Sequence, residues 1–172
     1  MYLADFFDYK NRLMSDLLTN EDIVRLIDDD EEFLLQNADQ LVYKNVFPYE
    51  YIPETDAHGT TYICMDVDVQ AQTRRDNSKL LYSPILYVWV FSHRSKLRLP
   101  EGGVRTDKLC SEIAKAIDGS MYYGIGELEL SSVRRFAPVT DYQGKQLTFT
   151  MKEFMRFYNG KKDIPVNRKR DV

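Results

Sequence analysis

Between Thr61 and Phe91 the hydrophobic pattern changes from alternation to an unbroken run, and the two halves predict two strands in different surroundings. Ile63, Met65, Val67 and Val69 alternate with Tyr62, Cys64, Asp66 and Asp68, and a period of two sends one set to a core and the other to the opposite face. Pro84 to Phe91 is apolar throughout and rich in β-branched and aromatic residues, as suits a strand covered on both faces or central in its sheet. Pro84 has no N–H for a ladder and fits the strand's first position. A polar connection, Ala71 to Ser83, joins the two strands, and the stretch Gln70 to Lys79 is polar, longer than a usual hairpin turn and without apolar anchors. A loop of that kind is either disordered or functional.

Upstream, Leu3, Phe6, Phe7, Leu13, Met14, Leu17 and Leu18 make the stripe of an amphipathic helix. Thr19 and Asp22 have the spacing of a capping box for a second, short helix that turns Ile23, Val24, Leu26 and Ile27 inward. Asn37 with Gln40 caps a further short turn carrying Leu41 and Val42. Val46 to Pro53, aromatic and broken by two prolines, reads as an extended connector packed on the surface of the fold. Beyond the strand pair, Leu109, Ile113, Ala116 and Ile117 share one face of a helix that starts at Thr106 or Asp107 and stops at Gly119. Glu127 to Leu130 alternates as a strand, and Ser131 to Phe136 extends it past an irregularity. Lys145 to Lys152 alternates through Leu147, Phe149 and Met151 after the turn at Asp141–Gly144.

The order helices-β-β-α-β-β predicts an α+β fold, with a mixed or antiparallel sheet of about four strands and helices packed on one face. Residues 1–160 are expected to form a single domain, with N-terminal helices over 1–45 and the sheet and its helix over 60–154. Residues 161–172 read as a mobile basic tail. At 172 residues, 44% of them hydrophobic and 29% charged, the chain can bury a core without disulfides or metals. Cys64 and Cys110 fall where small buried hydrophobes would, so no disulfide is expected and a reducing compartment is the natural reading. No apolar run reaches the roughly 20 residues of a membrane span, and no export signal is visible. The net charge of −4 gives no reason to expect general nucleic-acid binding. Its distribution is uneven: residues 1–40 carry eleven acids against three bases, and residues 133–172 ten bases against four acids. Either these are solvated faces or they are surfaces that meet.

Candidate chemistry is sparse. The two histidines, His58 and His93, do not form a zinc-binding pair, and no P-loop, nucleophile elbow or dinucleotide fingerprint is present. Asp66 and Asp68 on one strand face could hold magnesium together with Glu127 or Glu129 from another strand, as in a magnesium-dependent nuclease. Such a site would want a lysine at position 131, where the chain has Ser. The plainer reading is a strand edge protected by charge. The acidic run Asp28, Asp29, Asp30, Glu31 and Glu32 lacks the spacing and glycine of a calcium loop and reads as a solvated charge run. No catalytic residue, cofactor or metal is assigned, and no enzyme activity is expected.

Taken together, the N-terminal helices, the strand pair with its long polar connection, the helix opening Val104-Arg-Thr-Asp-Lys-Leu, and the closing strands Gly126-Glu-Leu-Glu-Leu and Gly144-Lys-Gln-Leu-Thr-Phe-Thr-Met resemble a neck protein of tailed bacteriophages. The closest type is a tail terminator or head-tail joining protein. The resemblance spans most of residues 60–154. It implies a small subunit that forms a ring, often a hexamer, capping the tail tube and docking on the head connector, with DNA passing through the lumen without specific binding. The protein would then be a virion component, assembled in the host cytoplasm. A ring needs unlike surfaces that meet head to tail. The candidates are Arg74, Arg75, Asp76 and Lys79 on the polar loop, the acids Asp28 to Glu32, and the pair Arg134 and Arg135. A monomeric binding adaptor that uses the loop is the other non-enzymatic reading.

Overall fold

The computed structural model describes residues 5–27, 37–53, 59–73, 80–123 and 126–151. Alternation in the sequence becomes a five-stranded sheet: β1 Val46–Phe47, β2 Thr61–Thr73, β3 Leu80–His93, β4 Leu128–Phe136 and β5 Tyr142–Met151, in spatial order β1-β2-β3-β5-β4. β1 runs parallel to β2 and every other pair is antiparallel, so the sheet is mixed. Helices α1 (Asp5–Thr19), α2 (Glu21–Ile27) and α3 (Arg105–Ile117) supply the second layer. The fold is α+β, with one strand more than the pattern suggested.

The extra strand is β1. Asn45 fixes it: its buried side-chain Nδ2 donates to Thr61 O at 3.0 Å, while its backbone carbonyl accepts from Ile63 N at 2.9 Å. Val46 and Phe47 therefore enter the sheet, and only the rest of the aromatic segment remains a connector. Tyr43, at φ +57°, turns the chain into it.

Residues of opposite parity on β2 build two separate clusters. On one face, Ile63 and Met65 join Leu86, Val88, Val90, Leu147 and Phe149 beneath the helices. On the other, Phe47, Tyr62, Cys64, Trp89, Phe91 and Tyr142 form an aromatic layer with no helix over it among the described residues. α1 contributes Leu13, Met14, Leu17 and Leu18 to the first cluster, as its stripe predicts, together with Tyr9, which the stripe had omitted. Tyr9 packs edge-on against Tyr123 with centroids 5.7 Å apart. All four predicted apolar residues of α2 are buried.

The helix starts differ from expectation. Asn20, not Thr19, caps α2: its Oδ1 accepts from Asp22 N at 3.0 Å and Ile23 N at 3.4 Å, while Thr19 Oγ1 donates back to Asp16 O. α3 begins one residue before Thr106, behind Val104 and without a side-chain cap. Asp107 instead reaches Lys145 on β5 at 3.0 Å. Leu109, Ile113 and Ile117 are buried as predicted, Ala116 is exposed, and Gly119 at φ +75° follows the helix end.

The largest departure lies between β2 and β3. Paired strand continues to Thr73↔Leu80, so most of the expected loop is the arm of a hairpin. The ladder between β3 and β5 starts only at Ile85↔Thr150. From Gln70 and Ser83 outward the two strands thus pair only with each other among the described residues. Arg74, Arg75, Asp76 and Lys79 lie outside the described residues, as do Asp28, Asp29, Asp30, Glu31 and Glu32 and the segment 161–172.

Candidate functional site

The uncovered face of the sheet divides into a packed half and a wet half. In the packed half, aromatic rings replace the missing helix layer. Tyr51 stacks on Phe47 at 4.2 Å, Tyr62 contacts Phe91 at 5.4 Å, and Phe136 reaches Phe91 at 5.6 Å. Phe91 and Phe136 are both opposite Gly144, from β3 and β4, so their rings meet above a residue with no side chain. A Cβ at Gly144 would collide with the Val90 carbonyl and the Phe91 backbone, which is why glycine stands there.

The wet half is an open groove of about 670 Å³. Register places its parts. Asp66↔Tyr87↔Thr148↔Ser132 and Cys64↔Trp89↔Gln146↔Arg134 are successive rows across β2, β3, β5 and β4. Tyr87 and Trp89 stack at 5.8 Å with 26° between ring planes, forming the floor with Gln146 and Thr148. Glu50, Asp66 and Asp68 line one side, and Ser131, Ser132 and Arg134 the other. The sequence predicts an irregularity in this strand without a position; the β4 register shifts at Ser131, whose Oγ donates to Thr148 O at 2.9 Å.

Electrostatically the two walls are opposed. Asp66 is held by Lys10 of α1, whose Nζ lies 3.0 Å from Oδ1, and the same oxygen accepts from Val67 N at 2.8 Å. That second bond satisfies an N–H at the sheet edge, the charge-protected edge that the sequence suggests. Glu50, Asp68, Arg134 and Arg135 have no ion-pair partner among the described residues. The magnesium arrangement does not assemble. Asp68 and Glu129 share a face, but β3 and β5 lie between their strands, a separation of about 14 Å at about 4.8 Å per strand. Among the described residues no three His, Cys, Asp or Glu side chains gather as a metal site. His93 caps a short turn through Nδ1, which accepts from Ser95 N at 3.3 Å, and His58 lies outside the described residues.

Both cysteines are free and buried on opposite sides of the sheet. Burial pushes each thiol up to about 12, with Glu50 adding to the rise at Cys64 and Lys145 opposing it at Cys110. At neutral pH they are protonated packing groups rather than nucleophiles. Buried Arg105 is a residue that sequence reasoning missed. Its Nε donates to Lys96 O at 2.8 Å and its Nη1 to Leu26 O at 3.1 Å, so a cation sits on the carbonyl end of α2. Nothing in the local sequence marked it, because the partners come from two distant segments. Glu50, Tyr87, Trp89, Gln146 and Thr148 were missed for a related reason: a groove floor is defined by strand order, which a linear pattern does not contain.

Comparison with curated proteins gives no match. The YomW family model matches residues 20–151, from the end of α1 through β5. The chain therefore belongs to the YomW family, whose phage-derived name associates it with phages.

Proposed function

We propose that this chain is a structural virion protein of a tailed-phage neck, of the tail-terminator or head-tail joining kind. Copies of it close into a ring, a hexamer, that ends the tail tube and meets the head connector, while DNA passes through the lumen without specific binding. Assembly takes place in the host cytoplasm, and the finished site is the virion. The observation that carries this reading is the inequality of the two sheet edges. The β2 side presents Glu50, Asp66 and Asp68, and the β4 side presents Arg134, Arg135 and the half-exposed Val133. A ring is closed by a heterologous contact between unlike surfaces, and opposed charge sets its register. The phage association of the family supports the setting.

Within this reading, the hairpin arm and its connection 74–79 reach a neighbouring subunit, and Asp28 to Glu32 face the channel or a neighbour. The test is native mass spectrometry and negative-stain microscopy of the purified chain, alone and with tail tubes. Closed rings, or rings seated on tube ends, are expected. A 20.2 kDa monomer that stays monomeric at high concentration and leaves tube ends bare would overturn the proposal. Neutralising all five acids of residues 28–32 should impair assembly or infectivity, and an unaffected ring would remove them from the interface.

A further inference from the structure

Two rows cross all five strands of the sheet: Val46↔Ile63↔Val90↔Lys145↔Arg135 and Phe47↔Cys64↔Trp89↔Gln146↔Arg134. β1 and the C-terminal half of β4 therefore stand at one height on opposite edges. β1 is parallel to β2 and the other pairs are antiparallel, so β4 runs against β1. Two copies set side by side without a shift along the strands bring β4 of one beside β1 of the next, antiparallel to it. Side chains rather than a backbone ladder meet there. Asn45 O faces β2, so the Val46 carbonyl faces away from it, and that carbonyl already accepts from Tyr43 N at 2.9 Å.

The turn that closes the β1 edge holds Tyr43 at φ +57°, the one non-glycine residue with positive φ among the described residues. Glycine would adopt that conformation freely, so a tyrosine kept there points to a use for its ring outside the turn. The ring is 56% exposed and stacks on Tyr49, itself 45% exposed, at 6.5 Å with 29° between planes. At the same height on the other edge Val133 is 47% exposed. Arg134 and Arg135 beside it are exposed and have no ion-pair partner among the described residues. A guanidinium is attracted to the face of a tyrosine ring. We propose that the Tyr43–Tyr49 stack anchors the ring contact and seats the β4 edge of a second copy, with Arg134 and Arg135 on the rings, Val133 packed beside them and Glu50 as counter-charge. This contact rests on the ring reading and names the residues that hold it. At about half of 150–250 Å² each, the two rings supply roughly a quarter of the about 800 Å² per partner that a stable contact needs. That is the share of an anchor, and the remaining length of the two edges supplies the rest.

Tyr43→Gly removes the first ring and keeps the turn, because glycine suits φ +57°, so the melting temperature should not fall. Combined with Tyr49→Ala, it should weaken self-association of the full chain about thirty-fold or more in analytical ultracentrifugation, the loss that marks an interface anchor. Arg134→Glu with Arg135→Glu should do the same from the other edge, at exposed positions that leave folding unchanged. Each double variant keeps one sound edge. Their equimolar mixture should therefore form dimers and nothing larger in native mass spectrometry, at a concentration where each variant alone is monomeric. A tyrosine variant that associates as the parent does would overturn the proposal. So would a mixture that fails to pair, because each edge would then meet its like or another surface. Self-association that stays intact while binding to tail tubes is lost would assign the tyrosines to the tube and overturn it as well. Rings that persist in both variants would remove this contact and leave the ring reading standing. Copies that join through these edges but leave tube ends bare would support the contact and remove the neck reading alone.

Discussion

The two faces of this sheet solve one problem with different materials. Beneath the helices, Ile63, Met65, Leu86, Val88, Val90 and Leu147 are aliphatic or thioether side chains that interdigitate with α1, α2 and α3. On the uncovered face the same strands carry Tyr62, Tyr87, Trp89 and Phe91. A helix layer can bury many small side chains at once. Without one, a strand shields itself best with rings, each of which covers about 150–250 Å². The rings reach only part of the face, and the remainder is the groove. Stability therefore concentrates on one face and adaptability on the other.

The strongest way to break this contrast is to truncate matched positions. Phe149→Ala empties a fully buried site beneath the helices and should cost about 3–5 kcal/mol. Tyr87→Ala, at the partly exposed groove floor, should cost no more than about 1 kcal/mol. Chemical denaturation measures both, and equal losses would erase the distinction between the faces. Gly144→Ala tests the packed half of the uncovered face. The added Cβ meets the β3 backbone rather than a movable side chain, so a loss of about 2–3 kcal/mol is expected. A neutral result would show that β3 and β5 can separate without cost.

Alkaline stability samples both faces together. Cys64 and Cys110 titrate from an ordinary 9.0 up to about 12 in the folded chain. Between those values the unfolded chain loses protons that the folded chain keeps. Stability is therefore fully present below about pH 9 and falls as the pH climbs toward about 12. Urea midpoints followed across this range should fall less steeply in Cys64→Ala and in Cys110→Ala, and an unchanged slope in either would mean that its thiol is solvated. The smallest effect belongs to Lys10→Ala, which releases Asp66 at the sheet edge. As a partly exposed pair it should contribute about 0.2–1 kcal/mol and lose that contribution in high salt.

Elements governed by local periodicity were legible in the sequence. The stripe of α1, the buried set of α2 and the alternation of β2 and β5 all follow from spacing. β1 was not legible, because two residues carry no period and Asn45 finds its partners sixteen and more residues away. The arm of the hairpin was misread as loop because Gln70 to Thr73 has no alternation of apolar and polar residues to mark it as strand. At α2 the cap was assigned one residue early, to Thr19, because Thr19 and Asn20 are both capping residue types and only geometry decides which oxygen faces the helix.

Of the candidate site, Asp66, Asp68 and Arg134 were visible as charged residues but not as facing walls. The sequence by itself determined the α+β class, the alternating faces of the strands and the uneven charge along the chain, all properties of residues near one another in the chain. The tertiary structure alone decided the order β1-β2-β3-β5-β4. That order separated Asp68 from Glu129, brought Phe91 and Phe136 together over Gly144, and set Glu50 and Asp68 across Tyr87 and Trp89 from Arg134. Strand order depends on long-range packing of whole surfaces, which no local pattern encodes.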